Sequence, residues 1–324
     1  MGELVGRYVL RRLLIYIPVL LLITIIVFTL SLLAPGDPVD WLNNPEQPMS
    51  AAQLQAAREA MGLDKPAPVR YVLWLGNVVR GNFGYRLKNG DAIGPLVLQR
   101  LERTLILSGL ASLIGIVIGL SLGIYTAWHQ YSIIDYLATT AALIGISSPA
   151  FFVAILALWF FALDLRWFPV GGLTTVGTSP SNVPNFLQHL ILPALVLSTN
   201  QIAGYFRYMR MSMLEVIHAD YLTTARAKGL RSRTVILTHA LRNALLPVVT
   251  FIGMNVPLLL GGALFTETIF AWPGMGLLFY DGVTSRDYPL IMAMTLVLAA
   301  IILLANLLTD VTYSLIDPRI RLEG

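Results

Sequence analysis

The sequence contains no cysteine. Disulfide frameworks, thiolate metal sites and cysteine nucleophiles are therefore excluded. Lysine is almost as scarce: of 22 basic residues, only Lys65, Lys88 and Lys228 are lysines. None of them precedes Ser or Thr, so the chain has no GxxxxGK[ST] phosphate loop. If ATP drives this protein, another chain binds it. The four histidines, His129, His189, His218 and His239, show no paired ligand spacing. With no HExxH, nucleophile elbow or carboxylate cluster, nothing argues for an intrinsic enzyme or a metal site. Charge of either sign is thin at 12% of 324 residues, about half the share of roughly 25% in soluble domains.

What the chain does have is apolar sequence, 56% of it, with a mean hydropathy of +0.72. Uncharged runs of 22 to 28 residues recur, and a bilayer core asks for about 20. A freely soluble enzyme is excluded, and the fold class is an all-α polytopic membrane protein. The net charge of +4 reads as the basic excess that membrane topology produces on the cytosolic side. No nucleic-acid partner is expected.

Six transmembrane helices are predicted. The first covers 13–34 after Arg7, Arg11 and Arg12. Its uncharged run of 24 residues exceeds the roughly 7–15 of a signal-peptide core, so it is read as a retained helix. Residues 35–103 form an external subdomain with amphipathic helices around 51–61 and 69–79. The second span, 104–128, carries Gly115, Gly119 and Gly123 at four-residue spacing, which reads as a close helix-packing face. The third, 136–163, is interrupted by Ser147-Ser148-Pro149; a structural kink and a cavity lining both fit. A Gly/Pro/Ser/Thr-rich external loop, 164–188, follows.

The fourth span, 190–206, holds Ser198-Thr199-Asn200-Gln201 at mid-membrane depth. Interhelical hydrogen bonding and contact with a translocated solute both explain such residues. The fifth, 244–266, holds Pro247, Asn255 and Pro257, and the sixth covers 288–309. Asn200, Gln201 and Asn255 are the candidates for a solute path. Trp272, Pro273 and Gly274 lie at an external helix end and read as an outer gate or an interfacial anchor. Within these limits no span contains Asp, Glu, Lys, Arg or His. That disfavours an ion-coupled secondary transporter, the rival reading.

Residues 207–242 hold seven basic residues against Glu215 and Asp220. The asymmetry makes this loop cytosolic, and with six spans both termini join it there. Leu214, Ile217, Tyr221 and Ala225 follow helical spacing. Gly229 reads as a left-handed stop, and Ser232 as the cap of a second helix through Arg242. Docking into a partner groove and holding anionic lipid are both open to such a projection.

The run Asp220-Tyr221-Leu222-Thr223-Thr224-Ala225-Arg226-Ala227-Lys228-Gly229-Leu230 resembles the cytosolic signature of binding-protein-dependent ABC importer permeases. His239-Ala240-Leu241-Arg242-Asn243-Ala244-Leu245-Leu246-Pro247 is similar to the dipeptide/oligopeptide branch. So are Glu267-Thr268-Ile269-Phe270-Ala271-Trp272-Pro273-Gly274-Met275-Gly276 and Arg286-Asp287-Tyr288-Pro289. Pro35-Gly36-Asp37-Pro38, Met61-Gly62-Leu63-Asp64, Arg80-Gly81-Asn82-Phe83-Gly84 and Asp317-Pro318-Arg319-Ile320-Arg321 extend the likeness over nearly the whole chain. Two departures from the general signature, Thr223-Thr224 in place of Glu-Ala and a later Leu246-Pro247, are shared by the peptide branch. The loop 129–134 lacks the arginines common in the family.

The resemblance implies a permease subunit in the plasma (inner) membrane of a prokaryote. Its divisions would be 1–34, a cytosolic segment with the first helix; 35–103, the external subdomain; and 104–324, the permease core with coupling loop 207–243. It implies a second homologous permease, two ATP-binding cassette ATPases holding ATP and Mg, and an external solute-binding protein, all within membrane lipid. Tyr221, Ala225, Arg226, Ala227, Lys228, Gly229 and Leu230 would couple to an ATPase. Peptides are the expected solute, with nickel complexes, glutathione and oligosaccharides as alternatives.

Overall fold

The computed structural model describes residues 2–33, 39, 49–60, 62–179, 181–261 and 263–316, without the side chains of 2–7, 57, 60, 226, 256–261 and 312–316. The motifs at 35–38 and 317–321, Met61 and the side chain of Arg226 lie outside the described residues.

Helix α1, Gly2–Leu33, is continuous through Pro18. Leu14, Leu22 and Leu30 are exposed along it, whereas Tyr16, Thr24 and Phe28 are buried. The exposed leucines suit lipid, since none of the described residues covers them. After α2, Ala51–Ala60, comes α3, Ala67–Val79, with a proline in its first turn, where the missing N–H costs nothing. Tyr71 on α3 shares a 2.8 Å hydrogen bond with Thr24, and its ring meets Phe28 edge-on at 5.4 Å. These contacts lay α3 along α1.

Two long helices form the centre. α4, Ile93–Trp128, has 36 residues and so runs about 54 Å. It begins eleven residues before the expected boundary at Thr104. At the bend 147–149, where Ser147 and Pro149 are exposed and Ser148 is half-buried, the chain then breaks. α5, Ile133–Ser147, is followed by α6, Ala150–Ala157, and a π-helical turn, Leu158–Asp164, bent by 107° from α5. The expected interruption is located correctly, but it is a break between two half-length helices and not a kink. Pro149 occupies the cap position of α6 with φ −60° and ψ 133°, an extended conformation that ends one helix and starts the next.

α7, Val183–Ile217, has 35 residues and extends past the expected limit at Phe206. Residues 207–217 are therefore the last turns of a spanning helix and not loop. The glycine stripe of α4 packs on α7. A Cβ on Gly119 would lie 2.8 Å from Tyr205 Cβ, and one on Gly123 would lie 2.7 Å from Met209 Cβ. Only glycine allows the two backbones this approach.

The contacts also fix direction. Gly115 meets Gln201, Gly119 meets Tyr205, and Gly123 meets Met209, so residue numbers rise together and α4 and α7 run parallel. The chain between them has to return along the length of the bundle. Asp135, at the start of α5, bonds Arg210 near the end of α7. Ala154 and Ala162 pack on Leu192 and Val196 near its start. The bent pair thus makes one crossing. Among the described residues, five long apolar helices and this pair give six.

Beyond α7 come α8, Asp220–Ala227, the short α9, Ser232–Thr234, a π-helical turn, Val235–Ala240, and α10, Leu241–Gly261. The helix opened by α9 does not stop at Arg242, because it runs on into the fifth span. Its cap position is Arg231, so Ser232 is not the cap. α11, Leu264–Ile269, takes residues expected at the end of that span. α12, Met275–Thr284, and α13, Tyr288–Ile316, complete the chain. Tyr8 donates to Asp310 at 3.0 Å and Ser212 donates to the Ala244 carbonyl at 2.7 Å. The starts of α1 and α10 and the ends of α7 and α13 therefore share one end of the bundle, with α8.

Candidate functional site

The break after α5, the middle of α7 and the middle of α10 enclose a cavity of about 400 Å³. Its polar lining is Ser148, Thr199, Asn200, Gln201, Asn255 and Arg207. The three residues selected from sequence as a solute path, Asn200, Gln201 and Asn255, thus share one cavity wall although 55 positions separate the first from the last. Tyr205 and Phe251 add aromatic faces, with ring centroids 5.8 Å apart. Asn255 donates to the Phe251 carbonyl at 2.7 Å, which keeps its amide oxygen free to accept. Gln201 Oε1 is buried without a hydrogen-bond partner. Carboxamides and hydroxyls arranged this way offer donors and acceptors to a solute rich in amide groups. They offer no nucleophile paired with a base.

At the end where α7 finishes, α8 stands on a core of side chains. Leu222 is fully buried among Met209, Met213, Val235, Ile236 and Ala240, a burial that contributes roughly 2–3 kcal/mol. Tyr221 stays 43% exposed, and its hydroxyl accepts from Asn243 Nδ2 at 2.8 Å. The expected single face through Leu214, Ile217, Tyr221 and Ala225 is split between α7 and α8, because the chain turns at His218 and Ala219. Leu222, not Tyr221, fills the core. Gly229 has φ +77° and follows a bond from Lys228 N–H to the Thr224 carbonyl at 3.1 Å, the left-handed stop that the sequence predicts. Ala227, Lys228, Gly229 and Leu230 are exposed, whereas Ala225 is half-buried against the core. α8 thus presents a free tip on a rigid base.

The opposite end holds a network that sequence reasoning missed. Glu267 is fully buried. Thr104 donates to its Oε1 at 2.6 Å and the Leu277 N–H to its Oε2 at 3.1 Å. Its carboxylate therefore caps α12 and joins α11 to α4. Burial pushes the Glu267 carboxyl up, against the opposing pull of Thr104 and the Leu277 and Gly276 amides. Gly274 has to be glycine because a Cβ there would collide with that carboxylate. Trp272 is also fully buried and donates from Nε1 to the Arg103 carbonyl at 3.1 Å. A buried ring presents no face to the membrane interface, so the anchor expectation gives way to packing against Leu107, Leu190 and Ala194. Pro273 is half-buried beside it.

Ion pairs tie the segment before α4 to α12 and to the start of α13. Arg86 bonds Asp281 at 2.7 Å and Asp287 at 3.1 Å, and Lys88 bonds Asp281 at 2.8 Å. Asp287, central to the Arg286-Asp287-Tyr288-Pro289 motif, also accepts from the Leu290 N–H at 3.4 Å and so begins α13.

A six-crossing bundle with a polar cavity at mid-length, a buried carboxylate network at one end and a helical projection at the other has the architecture of a membrane permease. The chain belongs to the family of binding-protein-dependent transport system inner membrane components, which it matches over residues 115–322, with the N-terminal component of such systems matching over 5–107. It is 49% identical to a protein of Brucella suis biovar 1 named as a peptide permease, over 97% of this chain and 99% of that one. It is 42% identical to an oligopeptide transport system permease protein of Bacillus subtilis (strain 168), again over 97% and 99%. In fold it is similar to a chain of the inward-facing MetNI methionine ABC transporter, with a TM-score of 0.53 at 19% identity, over 68% of this chain and 96% of that one.

Proposed function

We propose that this chain forms half of the translocation path of an ATP-driven importer of di- and oligopeptides. The observation that carries the proposal is the cavity in which Asn200, Gln201 and Asn255 meet. Relatives named as peptide permeases over nearly the full length support the choice of solute. A second homologous permease supplies the other half of the path, and an external solute-binding protein delivers the peptide. Two cytosolic ATPases hold ATP and Mg. Both ends of the chain lie in the cytosol with α8, because basic residues gather at 7–12 and 207–242.

The working stroke follows from the contacts. The exposed tip at 227–230 docks on an ATPase. Its movement passes through Leu222 and the Tyr221–Asn243 bond to α10. Phe251 and Asn255, two and three turns further along α10, line the cavity and shift with it. The cavity then opens alternately to the two sides of the membrane.

The test is uptake by the complete complex with its binding protein in proteoliposomes, with a dipeptide, a tripeptide, glutathione, a nickel chelate and an oligosaccharide as competing solutes. ATP-dependent uptake of the peptides is expected. Transport of the oligosaccharide or the chelate alone would overturn the choice of solute, and uptake by this chain without ATPases would overturn the importer. Replacing Asn200, Gln201 or Asn255 with Ala is expected to change uptake with little change in assembly. If all three variants merely assemble poorly, the residues serve packing.

A further inference from the structure

The inner half of α7 carries two arginines with different surroundings. Arg210 is held by Asp135 through two hydrogen bonds. Arg207 is exposed, has no ion-pair partner among the described residues, and lines the cavity. It is the one formal charge among the described lining residues. Asn200, Gly204 and Arg207 stand at i, i+4 and i+7 on one helical face. Gly204 places no side chain between the two.

We propose that Arg207 is a specificity residue that receives side-chain carboxylates of the passing peptide at the inner end of the cavity. The inference rests on the peptide reading above and deepens it. Asn200 and Arg207 are separated by seven residues, about 10.5 Å along a helix. An extended chain of three residues spans about the same length. A tripeptide can therefore meet the Asn200 carboxamide with a backbone amide near one end while an acidic side chain further along it reaches the guanidinium. The planar fork of arginine matches a carboxylate in a bidentate way that a lysine does not. No acidic residue among the described lining opposes it, so the path favours anionic over cationic groups.

The experiment compares maximal uptake of Ala-Glu-Ala and Ala-Lys-Ala by the complete importer in proteoliposomes, at concentrations that saturate the binding protein. Each variant is expressed as a ratio to the unaltered complex, which cancels any preference of the binding protein. Arg207→Gln is expected to lower the Glu-to-Lys peptide ratio about tenfold, the effect of losing one charge-assisted contact. Arg207→Glu is expected to reverse the order, while Arg207→Lys retains most of the preference. Equal losses for both peptides would overturn the proposal and assign Arg207 to assembly or to lipid phosphate. Unchanged ratios in both variants would overturn it as well. Failure of the unaltered complex to take up either peptide would instead sink the peptide reading.

Discussion

Asp135, in the first turn of α5, receives Arg210 Nε on Oδ1 at 2.7 Å and Nη2 on Oδ2 at 2.9 Å. The same carboxylate accepts the Tyr131 N–H at 3.0 Å. One buried group therefore fastens the α4–α5 turn to the C-terminal end of α7.

Replacing Arg210 with Gln leaves that carboxylate buried and short of its cation. The expected loss is about 2–3 kcal/mol, under the 3–5 of a wholly buried pair, because the Arg210 side chain is 27% exposed and partly hydrated. Asp135→Asn combined with Arg210→Gln is expected to recover part of the loss. Thermal unfolding in detergent of the two single variants and the double variant reads the coupling. Additive losses would mean that the two groups do not act as a pair.

The glycine stripe predicts a steric effect with an internal control. Gly119→Ala introduces a Cβ 2.8 Å from Tyr205 Cβ and 2.9 Å from the Ile202 carbonyl. Backbone has to move, so a loss of about 1–3 kcal/mol is expected from overpacking. Gly109 lies on the same helix, and a Cβ added there would meet nothing within 4 Å, so Gly109→Ala is expected to be harmless. Equal behaviour of the two variants in thermal unfolding would count against close packing at the stripe.

Much of this is legible in the residues. Four-residue spacing of Gly115, Gly119 and Gly123 announces a close helix pair, and Pro149 announces the break in the third span. Span limits are not legible, because a charge ends an uncharged run without ending a helix. Arg207 and Arg210 interrupt such a run, yet a backbone hydrogen-bond ladder continues through them and leaves side chains free to find Asp135 or a cavity. Glu267 sits within a recognisable motif whose neighbours in sequence assign it no role. Its partners come from α4 and α12, and no local pattern reports a carboxylate shared between distant helices. The Glu267-to-Gly274 spacing is the available signal: an acid seven residues before the glycine that makes room for it.

Glu267 carries a prediction about pH. Its folded-state pKa is raised above the ordinary value of 4.5, chiefly by burial. For a raised carboxyl the stabilising contribution is complete below the unfolded value and is lost as pH rises through the folded one. Glu267→Gln removes this titration and keeps the shape. Melting curves of the unaltered protein and this variant, from about pH 4 to about pH 9, are therefore expected to diverge as pH rises, with the unaltered protein losing ground. Parallel curves would show that Glu267 does not titrate over this range. Glu267→Ala is expected to cost more than Gln at every pH. It strands the Leu277 N–H and the Thr104 hydroxyl, at about 1–3 kcal/mol for each unsatisfied group.

Gly229 sets the conformation of the exposed tip of α8. Its φ of +77° lies in the left-handed region, and nothing stands within 4 Å of a Cβ added there. Substitution is therefore opposed by backbone conformation and not by a clash. Alanine is expected to cost about 1–2 kcal/mol at this position, and Asn less, because it tolerates the left-handed cap. Proline cannot adopt the conformation at all, since its ring holds φ near −65°. Coupling is expected to decline in the order Gly, Asn, Ala, Pro. In the reconstituted importer, Gly229→Pro should leave the subunits assembled while ATP hydrolysis no longer rises on addition of the loaded binding protein. Peptide uptake should fall with it. Wild-type uptake by Gly229→Pro would show that the tip at 227–230 is not where the ATPase docks.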